Sequence, residues 1–306
     1  MTSEPVVRVR DLTKSYGATA ALRGVSFDVE PGETLGLLGP NGAGKSTTIE
    51  ILEGYRDRSS GEVSVLGVDP RRGGLDWKAR LGIVLQTSGD QGTATVREQI
   101  AHFAGFYPRP RDVDEVLVAV GLEAKANARI RSLSGGQRRR VDVALGVVGR
   151  PELLFLDEPT TGFDPEARRA FWQLIRSLSS DGTSIVLTTH YLDEAAQLSD
   201  RVAVVTGGRL VALGRPDELG DEETRTPRVT WLDDDGRHDV RTPEPGAFVA
   251  RLHADGGEPR SLEVIRPSLE DVYLDLVARA EQTADGPEEA PAAVDAHRAS
   301  SAGVTS

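Results

Sequence analysis

Thr34-Leu35-Gly36-Leu37-Leu38-Gly39-Pro40-Asn41-Gly42-Ala43-Gly44-Lys45-Ser46-Thr47 carries the strongest structural signal in this chain. Thr34 to Leu38 is a compact apolar run of strand length, and a glycine-rich loop follows it directly. A helix is expected from Lys45 to about Glu53, with Gly54 as its stop. The spacing fits G-x-x-x-x-G-K-[ST] in the context that gives this pattern meaning, between a buried strand and a helix. Glycines let a backbone curl around phosphates, while a helix N-terminus supplies N–H donors and the positive end of its dipole. Lys45 is a compact charge suited to β- and γ-phosphates, and the Ser46 hydroxyl is suited to Mg²⁺. The chain has only four lysines, so a lysine here in place of the more frequent arginine is informative.

Outward from this stretch, Val6 to Leu12 and Ser26 to Val29 read as short strands, with a turn at Ser15-Tyr16-Gly17. Further strands are expected at Glu62 to Leu66, Leu81 to Leu85, Leu153 to Leu156, Ile185 to Thr188 and Val202 to Val205. The pattern is helical from about Val96 to Val148, and again at Pro165 to Leu178 and Leu192 to Leu198. Strand–helix–strand alternation of this kind calls for an α/β fold with a mostly parallel sheet covered by helices. After Pro216 the composition changes to a small α+β module. It comprises a hairpin (Val229 to Leu232, His238 to Arg241) and helices at Pro245 to Ala254 and Ser268 to Ala280. Three divisions are therefore expected: 1–216, 217–280, and a tail 281–306 too poor in large apolar residues to offset its ordering entropy.

Composition narrows the function. There are no cysteines among 306 residues, which removes disulfides and thiolate metal sites. A formal net charge of -12 argues against a nucleic-acid-binding surface. No apolar run approaches the ~18 residues of a membrane helix, and Met1 to Pro5 has no secretory character. The chain is expected to stay in the cytoplasm and to borrow any membrane role from a partner.

Two further stretches carry chemistry. Leu153-Leu154-Phe155-Leu156-Asp157-Glu158 runs from an apolar strand into two carboxylates. Asp157, at the strand's C-terminal end, can hold Mg²⁺, and Glu158 is placed to orient and activate an attacking water. Leu133-Ser134-Gly135-Gly136-Gln137 opens an amphipathic helix and reads either as a second anion-binding helix start or as a plain N-cap by Ser134. Together these motifs resemble the ATP-binding-cassette ATPases, over roughly Val6 to Pro216 and in that family's order.

The resemblance implies a P-loop NTPase cassette with an antiparallel β subdomain and a helical subdomain beside the parallel sheet. It implies that Gly39 through Thr47 bind ATP, that Tyr16 stacks on adenine, and that Ser134, Gly135, Gly136 and Gln137 serve the nucleotide of a partner cassette. Gln86 matches the residue that contacts Mg²⁺ and faces a transmembrane partner, and His190 matches the histidine that contacts the γ-phosphate. Gly162-Phe163-Asp164-Pro165 resembles a loop that communicates across the dimer, with Phe163 where leucine is usual. A homodimer or paired cassette that closes on ATP, driving a separate multi-span permease from the cytoplasmic face of the membrane, is what the family implies. Within it, Thr161 to Arg169, His190 to Ala195 and Pro267 to Leu274 look like the daunorubicin-type drug-resistance proteins, which points to export of a hydrophobic drug-like or natural-product substrate. An importer subunit is the alternative, as is a cassette ATPase outside transport. The latter lacks support, since the chain has neither a long coiled-coil insertion nor a second cassette. Leu269 to Leu276 also reads as a plain amphipathic helix packing the C-terminal module. From Val96 to Phe106, the stripe Val96, Ile100, Phe103 and Phe106 is too wide for all of it to face a core.

Overall fold

The computed structural model describes residues 4–85, 93–256 and 259–284. The strands are β1 (Val7–Tyr16), β2 (Thr19–Val29), β3 (Thr34–Leu38), β4 (Ser60–Val65), β5 (Leu81–Val84), β6 (Leu153–Asp157), β7 (Ser184–Thr189), β8 (Arg201–Thr206), β9 (Arg209–Gly214), β10 (Arg228–Asp233), β11 (Gly236–Arg241) and β12 (Arg260–Ile265). The helices are α1 (Lys45–Leu52), α2 (Leu75–Lys78), α3 (Val96–Ala104), α4 (Val113–Ala119), α5 (Gly135–Val147), α6 (Pro165–Ser180), α7 (Leu192–Leu198), α8 (Glu222–Arg225), α9 (Pro245–Gly256) and α10 (Leu269–Ala284).

The central sheet has the order β5-β6-β7-β3-β8-β9, parallel except for the edge strand β9. Its strands read as continuous apolar runs because both faces are covered. Along β6, Leu153 and Phe155 point into a core shared with α1 and the antiparallel sheet β2-β1-β4. Leu154 and Leu156 point the other way, into a core built with α3, α4, α5 and α6. This is the expected arrangement of parallel sheet, antiparallel β subdomain and helical subdomain. Tyr16 lies at the end of β1 and not within a turn; the hairpin reverses one residue later, at Gly17 with φ 57°.

The C-terminal segment forms a second antiparallel sheet, β11-β10-β12, with α9 against β10. The hairpin was expected; β9 and β12 were not. α10 leaves this sheet and docks on the cassette. Val272 is buried beside Leu38, Ala195, Val202, Val204 and Leu219, with Leu269, Tyr273 and Leu276 packed around them. Leu269 to Leu276 therefore packs the cassette's own sheet and not only the C-terminal module. α10 also continues to Ala284 and so takes in the first four residues of the expected tail; the remainder, 285–306, lies outside the described residues. Among the described residues no helix is long and apolar enough to cross a membrane.

Candidate active site

The neighbouring parallel strands β6, β7 and β3 all end on one edge of the sheet, and each delivers candidate site residues there. Ligands are expected at such carboxyl ends, where strand order reverses. From β3 comes the glycine-rich loop. A Cβ on Gly39 would stand 2.1 Å from the Val205 carbonyl oxygen, and Gly44 holds φ 103° beside Leu22 and Ala21, so neither position admits a side chain. The loop folds back on Lys45, whose Nζ donates to the carbonyls of Gly39 (2.8 Å) and Pro40 (3.1 Å) and lies 3.8 Å from Glu158 Oε1. Burial pulls the Lys45 pKa below its ordinary value, opposed by the two acidic neighbours Glu158 and Asp157. Asn41, Gly42, Gly44, Lys45, Ser46 and Thr47 line an open cleft of ≈ 340 Å³ that Glu158 closes on one side. Ala43 is buried beneath them.

From β6 come the two carboxylates. The Ser46 hydroxyl donates to Asp157 Oδ1 at 3.3 Å, and Thr188, paired with Asp157 in the β6–β7 register, donates to the same oxygen. A hydroxyl and a carboxylate meeting at the cleft floor are hard oxygen ligands of the kind Mg²⁺ takes, with phosphates and water completing the shell. Among the described residues there is no cluster of three or more His, Cys, Asp or Glu that could hold a metal by itself. Glu158 adopts φ 42°, a left-handed conformation that costs a non-glycine residue on the order of 1–3 kcal/mol. Its backbone N–H donates to the Thr188 hydroxyl at 2.9 Å.

From β7 comes His190, whose Nδ1 lies 3.4 Å from Glu158 Oε1. Lys45, Ser46, Asp157, Glu158 and His190 are thus brought together. Tyr16 is half-exposed at the hairpin tip with Lys14 and Arg56 flanking its ring, outside the cleft lining but on the hairpin that contributes Ala21 to it. Ser134, Gly135, Gly136 and Gln137 are also outside the lining. Ser134 forms a capping box with Gln137, each side chain bonding the other's backbone N–H, and Ser134 and Gly135 face solvent at the start of α5. Phe163 packs edge-on against Phe171 at 5.6 Å, which accounts for an aromatic in that loop, and Asp164 caps α6 through the Ala167 N–H. Gln86 lies outside the described residues.

Sequence reasoning overlooked three residues around Glu158. Thr188 could have been found from strand pairing with Asp157. Arg139 and Glu194 are both buried; Arg139 gave no signal beyond its proximity to Gln137, and Glu194 fell within the stretch His190 to Ala195 without a role of its own. The Arg139 guanidinium donates to the carbonyls of Leu85, Asp157 (3.0 Å) and Pro159 (3.0 Å). Burial lowers its pKa below the ordinary arginine value. Glu194 accepts from the Thr160 hydroxyl at 2.8 Å and from Trp172 Nε1 at 3.4 Å, and burial raises its pKa.

Residues 22–161 match the family model described as ABC transporter. The Nod factor export ATP-binding protein I of Rhizobium etli is 43% identical over 294 residues, 88% of this chain and 92% of that protein. The structure of cbiO1 from Clostridium perfringens, part of the ABC transporter complex cbiONQ, matches at 31% identity with a TM-score of 0.65, over 71% of this chain and 90% of that one. The dimeric post-hydrolysis structure of the ATP-binding cassette MJ0796 bound to ADP and Pi shares the fold at 24% identity and a TM-score of 0.60, over 68% and 98% of the two chains. Parallel-sheet architecture, phosphate loop and paired carboxylates agree with this kinship, and the chain belongs to the ABC transporter family as an ATP-binding subunit that hydrolyses ATP.

Proposed function

We propose that this chain powers export through a separate multi-span permease, from the cytoplasmic face of the membrane, as one half of a dimer that closes on ATP. The observation that carries the reading is the match to export ATP-binding proteins across both the cassette and the C-terminal module. Drug-likeness of the cargo rests on the daunorubicin-type stretches alone.

In this reading Gly39 through Thr47 wrap the phosphates, Lys45 contacts the β- and γ-phosphates, and Ser46, Asp157 and Gln86 would hold Mg²⁺, which when bound would supply charge neutralisation at the phosphates. Glu158 orients the water and draws its proton as the water oxygen attacks the γ-phosphorus. The bond to the bridging oxygen breaks, and ADP and phosphate leave. His190, beside Glu158, contacts the γ-phosphate, and Tyr16 stacks on adenine. Ser134, Gly135, Gly136 and Gln137 serve the site of the partner cassette, which fits their position outside this chain's own cleft.

The permease contacts a groove of ≈ 890 Å³ whose lining includes Leu75, Phe106, Pro108 and Arg109, where Leu75 and Phe106 are 85% and 67% exposed. Of the apolar stripe from Val96 to Phe106, Val96 and Ile100 are buried, Phe103 packs against the same core, and Phe106, just beyond α3, faces out, which supports division of that stripe between core and partner. Co-expression with a neighbouring multi-span protein tests the assignment. Cells carrying both wild-type proteins are expected to accumulate less of a bulky hydrophobic drug than cells carrying the permease with Glu158→Gln. Equal accumulation across a broad panel, or uptake in place of efflux, would overturn it.

A further inference from the structure

Glu158 holds a left-handed backbone conformation at a strand end, so something around it must fix the chain there. The stretch from Asp157 to Thr160 is gripped from two sides. On one side stands Arg139, buried on α5; its Nε donates to the Pro159 carbonyl at 3.0 Å and its Nη2 to the Asp157 carbonyl at 3.0 Å. These are the carbonyls of the residues immediately before and immediately after Glu158. Its Nη1 donates to the carbonyl of Leu85, the residue preceding Gln86. On the other side stands Glu194, fully buried on α7, which accepts from the Thr160 hydroxyl at 2.8 Å. A planar guanidinium presents donors in several fixed directions and can serve three carbonyls at once, which an ammonium on a flexible stem cannot.

We propose that Arg139 is a positioning residue for ATP hydrolysis: it fixes the backbone on both sides of Glu158 and so sets where that carboxylate meets the water, with Glu194 as the opposing hold at Thr160. The proposal rests on the reading of Glu158 as the group that activates the water. Because α5 opens at Ser134, and because the third carbonyl belongs to Leu85, one side chain ties the first turns of α5 and the residue before Gln86 to the stretch from Asp157 to Thr160. A shift of α5 when the partner cassette engages Ser134 would then move the Glu158 backbone directly.

The test is a double-mutant comparison on the purified full chain: wild type, Arg139→Lys, Glu158→Gln and the double variant, with kcat and KM from ATP hydrolysis and ATP affinity from calorimetry. Displacing a catalytic group by about 1 Å costs up to ~100-fold, so Arg139→Lys is expected to lower kcat by at least about 10-fold while ATP affinity stays within about 3-fold. In the Glu158→Gln background the same change is expected to lower the residual rate by less than about 2-fold, because Arg139 acts through Glu158. Unchanged kcat in Arg139→Lys, or equal fold-losses in both backgrounds, would overturn the proposal. Turnover that persists in Glu158→Gln would instead remove the reading of Glu158 itself. Should Arg139→Lys fail to fold, Thr160→Val removes only the hydroxyl held by Glu194. It is expected to lower kcat by roughly 3- to 10-fold at constant affinity, and wild-type kcat in that variant would count against the proposal.

Discussion

Glu53 closes the helix that follows the phosphate loop, only 6% exposed, and burial together with the nearby Asp157 and Glu50 pushes its pKa up to about 8. In the unfolded chain the same carboxyl titrates near its ordinary 4.5. Between these two values the folded protein keeps a proton that the unfolded protein has released, so rising pH favours unfolding. The destabilisation is absent below about pH 4.5, grows as pH rises, and is complete at about pH 8. At about 1.4 kcal/mol per pH unit, that separation sets a ceiling of roughly 5 kcal/mol. Glu53→Gln keeps the shape of the neutral acid and removes its titration. Urea unfolding followed by circular dichroism at pH 5 and pH 8.5 is expected to show the variant more stable than wild type by roughly 2–5 kcal/mol at pH 8.5 and by less than about 1 kcal/mol at pH 5. A stability difference that stays constant between the two pH values would show that Glu53 ionises normally in the fold, and the reasoning from its burial would be wrong.

Two further predictions concern the loop and the C-terminal helix. Lys45→Ala removes a charged donor from the phosphate cleft and is expected to weaken ATP binding about 10- to 100-fold by calorimetry; affinity within twofold of wild type would refute its placement against the phosphates. Val272→Ala deletes two buried methyl groups between α10 and the cassette sheet and is expected to cost about 2 kcal/mol, lowering Tm by a few degrees. An unchanged Tm would mean that α10 is not part of the cassette's core.

The glycine-rich loop between β3 and α1 and the carboxylate pair at the end of β6 were legible because their patterns are local. Each occupies consecutive residues, and the flanking apolar runs announce the strands that carry them. The parallel order followed from alternation of strand and helix. What escaped the sequence depends on contacts between distant segments. β12 is mostly exposed and carries Arg260, Ser261 and Glu263, so it shows almost no apolar alternation. β9 lies beyond the tight turn Gly207-Gly208, a hairpin signal that a reading for parallel strands passes over. The spacing of Leu269, Val272 and Leu276 marks an amphipathic helix but does not say which surface receives it. Arg139 sits in the run Arg138-Arg139-Arg140, and only the folded helix reveals that this one turns inward to three carbonyls. Glu194 likewise follows Asp193, which faces solvent.

Size-exclusion chromatography with light scattering on Glu158→Gln, with and without Mg-ATP, reads both hydrolysis by Glu158 and closure of the dimer. If Glu158 activates the water and Ser134 to Gln137 complete a partner's site, the variant binds ATP, fails to hydrolyse it, and elutes as a stable dimer only when ATP is present. A variant that binds ATP yet remains monomeric at concentrations well above the ATP Kd would contradict a site shared between two cassettes.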